Sequence, residues 1–184
     1  MNRTERWADQ WPDGAECLIP SHEVSRALDD QAERLMVRLE GQRDVTLFAL
    51  MNGGMWPALE LAGRLDRPFR LDHVLATRYR EALNGADIQW GRWPDRVTGT
   101  IVLIDDIFDE GHTMEAVARR FESGGADQVI TLAMALKQHD RGLPRDHVDD
   151  VAFDVPDRYV FGCGMDWKGL WRQLDGVWAT GETT

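Results

Sequence analysis

Asp105, Asp106 and Asp109 stand close together in the stretch I-V-L-I-D-D-I-F-D-E-G-H-T, which runs from Ile101 to Thr113. Carboxylates so spaced repel one another unless something positive sits among them. Their chemistry suits ribose hydroxyls, a hard cation, or a proton on a heterocycle. Glu110, Gly111, His112 and Thr113 come next, where a helical pattern begins. The start of a helix offers unpaired N–H groups and a partial positive charge, which suits phosphate. The bland alternative, an acidic turn that only leads into a capped helix, leaves the repulsion unanswered.

Three further groups of residues have the makings of a site. Met51, Asn52, Gly53 and Gly54 form a turn whose paired glycines let backbone N–H groups come close to an anion. Lys137 closes an apolar run, where it is either a solvated cap or a ligand contact. Tyr159 and Val160 precede a glycine-rich turn that leads to Asp166 and then Arg172. His139 and His147 lack zinc-ligand spacing and are expected to face solvent from a polar loop.

A sheet is needed to hold these groups. Val45 to Leu50, Leu71 to Ala76, Ile101 to Ile104, Asp127 to Leu136 and Arg158 to Phe161 are short, apolar and rich in β-formers, which predicts strands. Between them lie helical patterns. One carries Val24, Ala27, Leu28, Leu35 and Leu39 from Ser21, the expected N-cap, to near Gly41. A second runs through Ala58 and Leu61 to Leu65, and a third from Met114 through Phe121 to a stop at Gly124 and Gly125. The expected fold class is α/β, a mostly parallel sheet flanked by helices, with ligands beyond the carboxyl ends of the strands. Trp90 and Trp93 are expected on the arms of a β-hairpin turning at Gly91 and Arg92. Trp7 and Trp11, four apart, suggest an apolar strap over the core or a neighbouring subunit.

The 184 residues favour a single domain, and no linker or internal repeat divides them. No apolar run approaches the roughly 18 residues a membrane span needs. The first residues lack an apolar segment of the kind a secretory leader carries, so none is expected. Cys17 and Cys163 make no disulfide or metal pattern, which fits a reducing cytoplasm. The net charge of −11, from 21 basic and 32 acidic residues, argues against a duplex nucleic-acid surface. It leaves phosphorylated small molecules open, because helix ends and a bound cation can reverse the local field.

The stretch around Asp105 resembles the phosphoribosyl-pyrophosphate signature of the type I phosphoribosyltransferases: four apolar residues, two acids, two more apolar residues, then D-T-G-x-T. Glu110 replaces the usual Thr. Asn52 stands where many purine-specific members carry Lys, in the loop that binds pyrophosphate and contains a non-proline cis peptide, here Met51–Asn52. Arg78 replaces the Ser of a Ser-Tyr pair that opens the family's mobile flap, and Tyr79 is retained. The order Tyr159, Val160, Asp166, Arg172 is similar to that of the hypoxanthine-guanine phosphoribosyltransferases. Together these motifs cover the chain from about Thr46 to Trp178 in the family's order.

The resemblance implies one domain over residues 1–184, with a small hood from about 1–20 and 151–184 and a flap over about 77–99. It implies transfer of a 5-phosphoribosyl group to a 6-oxopurine. Asp105 and Asp106 would hold ribose hydroxyls, and Glu110 to Thr113 the 5-phosphate. Asn52, Gly53 and Arg172 would face pyrophosphate. Asp109 would act as general base, Lys137 would contact the 6-oxo group, Tyr159 would stack on the purine, and the backbone of Val160 would read its edge. Mg²⁺ would be linked to Asp166, Asp105 and Asp106, and a homodimer or homotetramer is implied. Three other readings stay open: a nucleotide- or RNA-binding regulator on the same fold, a xanthine-preferring enzyme, and a signalling or hydrolase domain using the acids as a plain Mg²⁺ site.

Overall fold

The computed structural model describes residues 9–78 and 88–183, the side chains of residues 78, 182 and 183 excepted. Trp7 and Tyr79 lie outside the described residues. Strand β1 (Glu16–Ile19) leads into helix α1 (Ser21–Arg38). Pro20 occupies the N-cap position, and its carbonyl accepts the N–H groups of Glu23 and Val24. Ser21, expected as the cap, is therefore the first helical residue. There follow β2 (Val45–Met51), α2 (Met55–Ala62), β3 (Arg70–Arg78), β4 (Ile88–Trp90), β5 (Thr100–Phe108), α3 (His112–Ser123) and β6 (Gln128–Gln138). The chain ends with β7 (Asp150–Pro156), β8 (Arg158–Phe161) and β9 (Val177–Thr183).

Six strands form one sheet in the order β4-β3-β2-β5-β6-β7, parallel except for the β3–β4 pair. The inner strands are apolar on both faces because both faces are covered. Leu47, Val102, Ile104, Leu132 and Met134 pack with Leu28, Leu35, Ala58 and Leu61 of α1 and α2. The alternating positions, Phe48, Leu50, Ile101 and Leu103, pack with Met114, Val117 and Phe121 of α3. Strand side chains alternate faces, so this partition fixes each strand's register. Gln31, buried in α1, donates to the Ala133 carbonyl at 3.1 Å. Arg34 forks onto Asp150 at 2.7 and 3.0 Å, tying α1 to the start of β7.

A second, three-stranded antiparallel sheet has the order β1-β9-β8. It joins the first core through Val160, Cys163, Met165, Val177 and Ala179. Trp11 lies edge-on to Phe161, Trp171 and Trp178, with ring centroids 4.9–5.4 Å apart. This is the packed strap anticipated for that segment.

Two readings of the sequence differ from the structure here. Strand β5 does not stop at the acids but continues through Asp105 and Asp106 to Phe108, because Ile107 and Phe108 pair with Ala135 and Leu136. Gly91 and Arg92 are not the tip of a hairpin. They extend the arm that pairs with β3: Gly91 N–H donates to the Leu75 carbonyl and Leu75 N–H to the Arg92 carbonyl. Trp90 and Trp93 sit side by side on that arm, centroids 5.5 Å apart, with the Arg120 guanidinium 4.2 and 4.1 Å from their centres. The arm is thereby fastened to α3.

Phe121 is fully buried between Phe48 and Trp93, at centroid distances of 4.7 and 4.5 Å. Phe121→Ala is expected to lower stability by about 3–5 kcal/mol. Urea unfolding would show this as a lower midpoint with an unchanged slope.

Candidate functional site

The site forms where the carboxyl ends of β2, β5 and β6 meet the second sheet. In the β5–β6 pair, Phe108 stands beside Leu136. One step further along each strand brings Asp109 level with Lys137, and Lys137 Nζ lies 3.1 Å from Asp109 Oδ2. The Lys137 side chain is 7 % exposed, so its ammonium is largely desolvated beside this carboxylate.

His139 joins the same pair, contrary to the expectation of a solvent-facing ring. Its side chain is 4 % exposed, and Nε2 lies 2.5 Å from Asp109 Oδ1. The sequence did contain the signal: Lys137 and His139 are two apart at a strand end and so share a face. Burial alone would raise the Asp109 carboxyl, but the His139 hydrogen bond and the Lys137 charge outweigh it. The group is held below its ordinary value.

Asp105 and Asp106 form a second acidic group on β5. Asp105 Oδ1 accepts the Asp106 N–H at 2.9 Å. Burial and then the Asp106 charge push the Asp105 carboxyl well up. Burial also raises Asp106, opposed by its hydrogen bond with Asp105 and by the Arg172 charge. Arg172 lies 3.8 Å from Asp106 Oδ2 and 2.7 Å from Asp166 Oδ1, and donates to the Gly164 carbonyl at 2.7 Å. Asp166 also accepts the Gly169 N–H at 2.6 Å. Arg172 is thus the cation that two of the predicted acids share.

The glycine turn after β2 closes against these acids. The Met51–Asn52 peptide is cis. A Cβ on Gly53 would overlap the Asp106 carboxylate, and one on Gly164 would overlap the Gly53 carbonyl. Three chain segments therefore meet backbone to side chain around Asp106: the turn after β2, the end of β5, and the turn after β8. Asn52 is exposed beside them. Gly164 carried no signal that set it apart from its neighbours in the sequence.

Gly111, at φ 76°, ends the acidic turn and opens α3. Glu110, Gly111, His112 and Thr113 are partly exposed, so the first turn of α3 can be reached from solvent. The first N–H groups of a helix have no partner within it. Tyr159 and Val160 stand on β8, in the second sheet. Val160 is buried, and the Tyr159 ring is edge-on to Trp167 at 5.0 Å. Arg78 ends β3, while the rest of the opening of the expected flap, Tyr79 included, is outside the described residues.

Known proteins share this architecture. The family model described as a phosphoribosyl transferase domain matches residues 22–168. The "Bifunctional protein PyrR" of Brevibacillus brevis is 27 % identical over 130 residues, covering 66 % of this chain and 73 % of its own. The hypoxanthine-guanine phosphoribosyltransferase of Mus musculus is 26 % identical over 169 residues, covering 84 % of this chain and 77 % of its own. The solved hypoxanthine phosphoribosyltransferase of Trypanosoma cruzi (a mutant in its ternary substrates complex) superposes with a TM-score of 0.83 at 19 % identity, over 91 % of this chain and 96 % of that one. That of Staphylococcus aureus gives 0.81 at 17 % identity, over 90 % of each chain. A family match over most of the chain, on a parallel sheet with the acids at the end of its central strand, means that this protein belongs to the type I phosphoribosyltransferases.

Proposed function

We propose that this protein transfers the 5-phosphoribosyl group of phosphoribosyl pyrophosphate to hypoxanthine or guanine and releases pyrophosphate, a purine-salvage reaction. The Lys137–Asp109 pair carries the reading. It sets a donor beside an acceptor, 3.1 Å apart, in one partly buried place. A 6-oxopurine presents the complement along one edge, an acceptor at O6 and a proton at N7. Adenine presents an amino donor at the 6-position, which would face the Lys137 ammonium donor to donor, at a cost of roughly 1–3 kcal/mol.

The remaining roles are assigned on the same reading. Asp109 takes the purine's N7 proton as the new bond forms at the anomeric carbon and the bond to pyrophosphate breaks. Asp105 and Asp106 hold the ribose hydroxyls while that carbon carries cationic character. The 5-phosphate rests on N–H groups between Glu110 and Thr113, and pyrophosphate on the Asn52–Gly53 turn with Arg172. Tyr159 offers its face to the purine, and Val160 its backbone. The family's flap would begin at Arg78 and Tyr79, and Tyr79 lies outside the described residues.

Mg²⁺ fits this site. Asp105 and Asp106 are a buried like-charged pair whose raised carboxyls a cation would relieve. No group of three or more possible metal-holding side chains occurs among the described residues. That suits an ion held by one or two carboxylates and completed by substrate phosphates and water. When bound it would offset the charge of the pyrophosphate. Asp166 is less free to join, since Arg172 and the Gly169 N–H already meet its oxygens.

A second reading is a nucleotide- or RNA-binding regulator on the same fold, and the word "bifunctional" in the name of the PyrR relative leaves room for an activity beside transfer. The net charge of −11 and the Asp109 base weigh against it. A spectrophotometric assay with phosphoribosyl pyrophosphate, Mg²⁺ and each of hypoxanthine, guanine, xanthine and adenine separates the readings. Turnover with hypoxanthine or guanine is expected. Turnover only with xanthine or adenine, or none beside tight, salt-sensitive RNA binding, would refute the assignment.

Asp109→Asn is expected to lower kcat roughly 10²–10⁴-fold while sparing the affinity for phosphoribosyl pyrophosphate. Steady-state kinetics beside calorimetric titration would check both halves. Gly53→Ala forces the Asp106 carboxylate aside. It should weaken phosphoribosyl-pyrophosphate binding at least about tenfold with little change in circular dichroism.

A further inference from the structure

His139 touches the general base from the side away from any substrate role assigned so far. Its Nδ1 accepts the Arg141 backbone N–H at 3.1 Å, while Nε2 lies 2.5 Å from Asp109 Oδ1. An imidazole nitrogen that accepts a hydrogen bond carries no proton, so the ring's N–H is on Nε2 and points at the carboxylate. The loop that bears the ring is pinned to the acidic turn. Leu143 N–H donates to the Glu110 carbonyl at 2.9 Å. Gly142, at φ 79°, lies so close to the Glu110 backbone that a Cβ there would overlap it. Arg141 is locked in turn by Asp157, at 2.7 and 2.6 Å.

We propose that His139 is a positioning residue for Asp109: its Nε2–H fixes the carboxylate so that the remaining lone pairs face the purine's N7 proton. This rests on the purine reading above. A carboxylate has about four acceptor directions. His139 takes one on Oδ1 and Lys137 one on Oδ2, and the side chain keeps 35 % of its surface exposed for the rest. Lys137 must also answer the purine's O6, so its hold on Asp109 is shared. His139 has no such second duty, and the orientation of the base depends on it.

Asp109 also feels its own turn and the two elements packed on it. Lys137, His139 and Arg141, from β6 and its loop, act on Asp109 directly, while Glu110 of the acidic turn and Asp157 between β7 and β8 act on those cations. Of these, the His139 hydrogen bond is the largest influence keeping the carboxylate ionised. Asp109 accepts a proton only when ionised. Loss of the Nε2–H raises its pKa, so the acid limb of the kcat/KM profile moves to higher pH.

Wild type, His139→Ala and His139→Gln decide the matter, since glutamine carries an amide N–H at about the reach of Nε2. In the alanine variant kcat should fall roughly 10–100-fold with KM for phosphoribosyl pyrophosphate unchanged and the acid limb raised. The glutamine variant should recover most of both. A raised KM, an unmoved acid limb, or no rescue by glutamine would leave His139 a packing residue and overturn the proposal. Nitrogen-15 NMR supplies an arm that does not depend on turnover. The His139 ring should show the Nε2–H tautomer and respond to Asp109→Asn. An Nδ1–H ring, or one indifferent to that substitution, also overturns it. Absence of turnover with every purine in wild type would count against the purine reading, and the NMR result would still decide whether His139 holds Asp109.

Discussion

The parallel register of β5 against β6 is the constraint on which the site depends. It places Phe108 beside Leu136 and so brings Asp109 to Lys137. A slip of one residue would turn every side chain of a strand to the opposite face. What prevents the slip is the apolar division of β5, with Val102 and Ile104 toward α1 and α2, and Ile101 and Leu103 toward α3. Ordinary hydrophobic packing thus chooses which acid meets which base, well away from the atoms that react.

The second constraint is electrostatic. In a chain with an excess of acids, the cations at this edge are spread among the carboxylates rather than stacked together: Lys137 on Asp109, Arg172 between Asp106 and Asp166, Arg141 on Asp157. Asp109 and Asp157, each with a close cation, are held below their usual range, whereas Asp105, buried with another acid as its main neighbour, is driven up. The contrast keeps Asp109 ionised, as any acceptor of a proton must be, and leaves Asp105 with a like charge as its main neighbour.

The inner strands were legible because their apolar residues run without a break, a pattern that only a sheet covered on both faces requires. The edges were not. Strand β7 carries Asp150, Asp154 and Pro156, and β9 carries Gly181 and Glu182, so neither pattern stands out from a loop. Polar residues also misled at the end of β5, where Asp105 and Asp106 read as a stop although the ladder continues beneath them. The acidic turn and the glycine turn were readable from residue type and order, Arg172 only from the family resemblance. His139 was missed although its spacing from Lys137 marked it, because Asp109, the partner that gives the spacing its meaning, is brought there by the pairing of distant strands. The packing of Gly164 on Gly53 was hidden for the same reason.

The smaller sheet has an unusual construction. Its middle strand is β9, flanked by β1 and β8, so residues near 17 pair with residues near 178. On the ribosome, β1 has no strand to join until β9 has been made, after every strand of the larger sheet, whereas β2, β3, β5 and β6 can zip together as they emerge. The half of the molecule that carries the acids and the glycine turn can take shape early. The half that bears Tyr159, Val160 and the strap of Trp11 is completed only when β9 joins β1 and β8.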